Sequence, residues 1–216
     1  MSLEVGRVEA YGAPRDYQGL AAMAAARFRF VEVAAHVPVY RIELGPDTYS
    51  GLGDVHFEVG WIAIQHPVEA GVAFAVMPPL GSDDHGLAMG HWMLMGSAFA
   101  RASRGRVSGA ATVGYGSRLG EGGHAAHGMP VWPPVAPMNA REIRGTLDAR
   151  VALWRSLAAT FAAAAAAPTG DGEVLGLVGG GLAAGLGRIE IGLTASHGVA
   201  GHTARLVIGS HMMISF

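Results

Sequence analysis

The chain has 216 residues, a formal net charge of −2, 33 Gly, 10 His and no Cys, with half of its residues hydrophobic and only 15% charged. The lack of Cys excludes disulfide frameworks, thiolate zinc sites, iron–sulfur clusters and Cys nucleophiles. All 15 basic residues are Arg, which excludes a Schiff-base lysine, the P-loop lysine and the protein-kinase strand lysine.

In chain order, residues 3–11 alternate as a strand, and Pro14 opens an Ala-rich stretch, 14–27, that reads as a helix. Residues 28–44 read as a long strand, 45–53 as a turn-rich connector, and 54–66 and 70–77 as further strands. Ser82-Asp83-Asp84 is a helix-start pattern, and the helix is expected to run to about Ser103, with a strand at 106–115. A Gly- and Pro-rich loop follows at 116–139. Asn139 and Glu142 have capping-box spacing, and Ile143, Leu147, Val151, Trp154, Ala158 and Phe161 recur as one face of a helix that the Ala run 162–167 carries to Pro168. Three strands, 173–179, 187–195 and 204–215, complete the chain.

This order predicts a single α+β domain over 1–216. An antiparallel or mixed sheet would carry two or three helices on one face, with the first half in a split β-α-β, ferredoxin-like order. Surplus apolar surface predicts a homo-oligomer. The N-terminus lacks a basic start followed by an apolar stretch, so no signal peptide is expected, and the most apolar uncharged stretch, 85–100, is too short and polar for a membrane span. Scattered Arg at near-zero net charge gives no nucleic-acid footprint. The expectation is a cytoplasmic protein with a small-molecule ligand and neither membrane nor nucleic-acid partners.

Two segments carry candidate chemistry. Val31, Val33, Ala35, Val37 and Val39 form an apolar face with Glu32, His36 and Tyr40 opposite; Val55, Phe57, Val59, Trp61 and Ala63 do likewise, with Asp54, His56 and Glu58 opposite. A hairpin that sets Tyr40 beside Glu58 and Ile42 beside His56 would gather the polar rows into one patch. His36, His56 and Glu58 could then hold Zn²⁺, Mn²⁺ or Fe²⁺ with positions open for water. The bland alternative is a solvated sheet face. In the Gly-rich loop, Ser117 and Arg118 offer donors to an anion, and Glu121 with His124 or His127 could move protons. Helix capping accounts for Asp83 and Asp84, and a six-residue spacing keeps His85 and His91 off one helical face. Gly179 to Gly185 lacks the strand–helix–strand context of a dinucleotide loop, and no Ser sits in a nucleophile elbow. The reading is a small-molecule enzyme, a divalent-metal-assisted hydrolase or lyase, with Glu121 and His127 catalytic. The alternative is a non-catalytic small-molecule-binding or accessory subunit of a homo-oligomer.

Overall fold

The computed structural model describes residues 1–11, 17–44, 46–81, 90–119, 141–201 and 206–216 and resolves most of them into strands. They are β1 (Ser2–Tyr11), β2 (Tyr17–Phe28), β3 (Val31–Leu44), β4 (Asp47–Leu52), β5 (His56–Ile64), β6 (Val68–Met77) and β7 (Trp92–Arg104). The second half adds β8 (Val107–Leu119), β9 (Arg141–Ala152), β10 (Leu157–Pro168), β11 (Leu175–Leu186), β12 (Ile189–Ala200) and β13 (Leu206–Ser215). Among the described residues there is no helix, so the α+β, ferredoxin-like expectation is overturned.

The sheet closes on itself. Neighbours pair antiparallel from β5 round to β13, β13 pairs with β1, β1 with β2, and β2 with β3. Strand β3 then divides its free edge: Val31–His36 pair with β5, and Val39–Leu44 pair with β4. Strand β4 thus caps one stave, leaving a barrel of twelve. Because β4 occupies the upper part of β3, β5 is confined to the lower part. The observed register therefore sets His36 opposite His56 and Ala34 opposite Glu58, rather than Tyr40 opposite Glu58.

The expected helices rest on ambiguous spacing and on a weak intrinsic preference. Ile143, Leu147 and Val151 are four apart, which fits a helix turn but also keeps every one of them on the same face of a strand. On β9 the intervening Gly145 and Ala149 complete that row, and Arg144, Asp148 and Arg150 take the other face. Trp154, counted in the helical stripe, lies in the 153–156 turn. The Ala runs of β2 and β10 favour a helix intrinsically, but a closed ladder satisfies every backbone group and overrides so weak a preference. The 82–103 expectation is replaced by β7 from Trp92 onward; residues 82–89, with Asp83, Asp84 and His85, lie outside those described.

The two ends of the barrel differ. At one end the connections are short (29–30, 65–67, 105–106, 153–156 and 187–188), and both chain termini lie there. Gly105 and Gly187 take positive φ, 62° and 67°, as tight hairpin turns require. At the other end most connections are longer (12–16, 78–91, 120–140, 169–174 and 201–205), beside the two-residue link 45–46 between β3 and β4.

Side chains alternate between the outer face and the lumen, and the apolar row is on the outside. On β5, Phe57, Val59 and Trp61 are exposed while His56, Glu58, Gly60 and Ile62 are wholly or partly buried. The same holds for Val72 and Phe74, Val113 and Tyr115, Ile143 and Leu147, Leu182, and Ile191 and Leu193 on their strands, with Val59 54%, Leu147 60% and Leu193 64% exposed. The lumen is lined by the complementary rows, and its small residues let large ones cross it. At Gly71 a Cβ would strike the Trp61 carbonyl oxygen and come within 2.8 Å of the Phe99 ring. Gly71→Val is therefore expected to destabilise the folded barrel by about 1–3 kcal/mol, as overpacking does. A shift in the denaturant midpoint in detergent measures this, and an unchanged midpoint would refute the packing assignment.

Candidate functional site

The lumen holds the chain's polar chemistry. Near the short-turn end, two ionic groups stand on well-separated parts of the wall. On β7, Arg101 donates to both carboxylate oxygens of Glu32 on β3, Nη1–Oε1 2.9 Å and Nη2–Oε2 2.6 Å, and Nη1 donates to Glu69 Oε1 on β6 at 3.3 Å. Arg27 of β2 donates to Glu69 at 2.6 Å and lies 3.6 Å from Glu32, joining four charges into one network. The Arg101 guanidinium also stacks 4.5 Å from the Phe99 ring centroid, which fixes its plane. On the other wall, Arg150 of β9 forms a second fork onto Glu190 of β12, at 2.8 and 2.6 Å. His211 Nε2 of β13 lies 3.9 Å from the same carboxylate. Gly192, opposite His211 in register, leaves room for the imidazole, since a Cβ there would collide with the ring. Bidentate Arg–carboxylate pairs hold both partners in fixed geometry.

Between these walls lies a cavity of about 740 Å³, lined on its polar side by Ser103, Ser108, Asp148, Thr160, Thr194 and Ser196 besides the arginines. Beyond it, toward the long-loop end, larger side chains project from the wall. Tyr40, Met77 and Leu175 are buried there, and Glu142 and Met93 are 0% exposed. Met93 Cε and Glu142 Cγ each lie 3.8 Å from the position a Gly116 Cβ would take. Arg144 donates to Met95 Sδ at 3.5 Å.

The structure distributes the expected site residues unevenly. His36, His56 and Glu58 all face the lumen, with the two histidines directly opposed across β3 and β5. Among the described residues, however, no three His, Asp or Glu side chains come together as a metal-holding group. Arg118 shares the inward register position of Met93, whereas Ser117 falls on the alternate row beside Leu94 and donates to the Arg118 carbonyl at 3.3 Å. Glu121, His124 and His127 lie outside the described residues. Sequence reading missed Arg101, Arg150, Glu190 and Glu69. Arg101, Arg150 and Glu190 carried a usable signal: a charge bracketed by apolar neighbours (Ala-Arg-Ala, Ala-Arg-Val, Ile-Glu-Ile) marks a row that is polar on one side only.

No protein-family model matches the chain, and no curated protein matches it. Solved structures do. An outer membrane channel from Pseudomonas putida F1 superposes with a TM-score of 0.67 at 8% identity, over 100% of this chain and 94% of that one. The NanC porin superposes with 0.67 at 9% identity, over 99% and 98%. LpxR from Salmonella typhimurium superposes with 0.53 at 8% identity, over the whole of both chains. These likenesses show the fold, a β-barrel of the kind found in outer membranes. They overturn the cytoplasmic assignment, the exclusion of a membrane partner and the soluble metal-enzyme reading. The apolar surplus that suggested a homo-oligomer is the barrel's own outer face.

Proposed function

We propose that the chain spans an outer membrane as a twelve-stranded barrel and passes small polar solutes through its lumen. The observation that carries this is the inverted alternation, apolar outward on strand after strand and charged or small inward. Water would not sustain so large an exposed apolar surface, and lipid requires it. The spanning strands β6 to β13 have 10 to 13 residues, and ~9–11 tilted residues cross a bilayer core. Short turns at one end and long connections at the other fit the asymmetry of such barrels. Outward aromatics support both interfaces: Phe28, Trp61 and Phe216 toward the short-turn end, Trp92 and Tyr115 toward the other. The cavity between the two ionic walls offers balanced charge and hydroxyl groups, which suits neutral polyols and zwitterions better than apolar solutes.

Refolding into lipid vesicles loaded with small sugars or amino acids tests this. The barrel should insert, resist externally added protease over its strands and release the solutes faster than empty vesicles do. Insertion without release would overturn the channel, and failure to insert would overturn the membrane assignment.

A further inference from the structure

One row around the lumen wall is unlike the rest. Met23 of β2 pairs with His36 of β3, and His36 with His56 of β5. The β5–β6 register, continued by one residue, brings Met77 beside His56, and Met77 pairs with Met93 of β7. Five neighbouring strands thus present Met, His, His, Met and Met in sequence on the lumen side, with Met95 two residues beyond Met93 on the same face. His36 is 5% exposed, and neither of its ring nitrogens has a hydrogen-bond partner; His56 Nε2 likewise has none. Buried imidazole nitrogens normally find partners, and two adjacent orphaned imidazoles point to a ligand that supplies them.

The neighbours identify its chemistry. Opposed Cβ atoms on paired strands are about 4.5–5.5 Å apart, so the imidazoles and the flanking thioethers can reach one ion. Glu58 stands two residues from His56 on the same face of β5, but thioether and imidazole donors together favour soft Cu(I)-type ions over the hard Mg²⁺, Ca²⁺ and Mn²⁺. We infer that His36 and His56, flanked by Met23 and Met77, form a lumen site for a soft monovalent cation of the Cu(I) or Ag(I) class, with Met93 extending the row. The site binds the ion without any redox step, and it stands whether or not the lumen conducts.

Ag(I), which needs no reductant, is the probe. Titration of the refolded barrel in detergent and chloride-free buffer should show one tightly bound Ag(I) per chain that a hundredfold excess of Zn(II) leaves in place. The Met23→Leu/Met77→Leu double variant keeps side-chain volume and should weaken binding at least tenfold while far-UV circular dichroism and heat-dependent gel mobility stay unchanged. His36→Gln should do the same. Unchanged affinity in these variants, displacement by Zn(II) or no stoichiometric binding would overturn the site. If the double variant fails to fold, X-ray absorption of Ag(I) on the unmodified barrel decides: sulfur and nitrogen both bonded to silver support the site, and either one missing overturns it.

Discussion

Leu147→Arg should lower the stability of the barrel in lipid vesicles by about 2–4 kcal/mol, the cost of a cation near the bilayer midplane. Leu147 lies near the middle of β9 and is 60% exposed on the outer face. Its neighbour Asp148 lines the cavity, and Asp148→Asn should change stability by less than about 0.5 kcal/mol, as polar surface changes usually do. The contrast between adjacent residues is the discriminating quantity. On a water-exposed sheet the ranking would collapse, because replacing an exposed Leu by Arg is then nearly neutral. Denaturant-induced unfolding and refolding in vesicles measures both variants. A Leu147→Arg barrel as stable as the parent would remove the lipid from the account.

Arg101→Ala should turn the lumen toward cations. Arg101 is the common partner of Glu32 and Glu69, so its loss leaves two carboxylates with only Arg27 between them. A unit charge about 6 Å from a passing ion in water is worth ~0.7 kcal/mol, which is about threefold in a permeability ratio. Glu190→Ala should shift selectivity by a similar factor in the opposite direction, since it leaves Arg150 without the carboxylate that its fork grips. Reversal potentials across planar bilayers under a salt gradient measure both. Equal shifts of the same sign, or none, would show that ions do not pass these walls. High salt should shrink the effect, because screening shortens to about 3 Å at 1 M.

Much of the strand pattern was legible. The segments 3–11, 28–44, 54–66, 70–77, 106–115 and the three at the C-terminal end overlap β1, β3, β5, β6, β8, β11, β12 and β13. In most of these strands period-two alternation had no competing reading. In β11 the expected strand stops at 179, because Gly179 to Gly185 reads as a flexible turn, whereas the observed strand runs on to Leu186. The Ala-rich segments that became β2 and β10 did have a competing reading, as did the Ile143–Leu147–Val151 row of β9. Small residues carry little periodicity, and apolar residues four apart satisfy both a helix and a strand. The register of His36 and His56 was out of reach as well. It depends on β4 folding back on β3, and the stretch 45–53 reads equally well as a plain connector.

What the sequence determined by itself was the sorting of residues into two rows: Val31, Val37 and Val39 against Glu32, His36 and Tyr40, and Phe57, Val59 and Trp61 against His56 and Glu58. Alternation along one strand divides its faces but cannot say which one looks inward. That choice was made by closure, when β13 paired with β1 across nearly the full length of the chain and the sheet acquired an inside. On the proposed reading, the apolar rows of a closed barrel lined by charged and small residues lie against hydrocarbon. The rows that look like a core in water therefore became the surface, and the polar rows that look solvated became the interior.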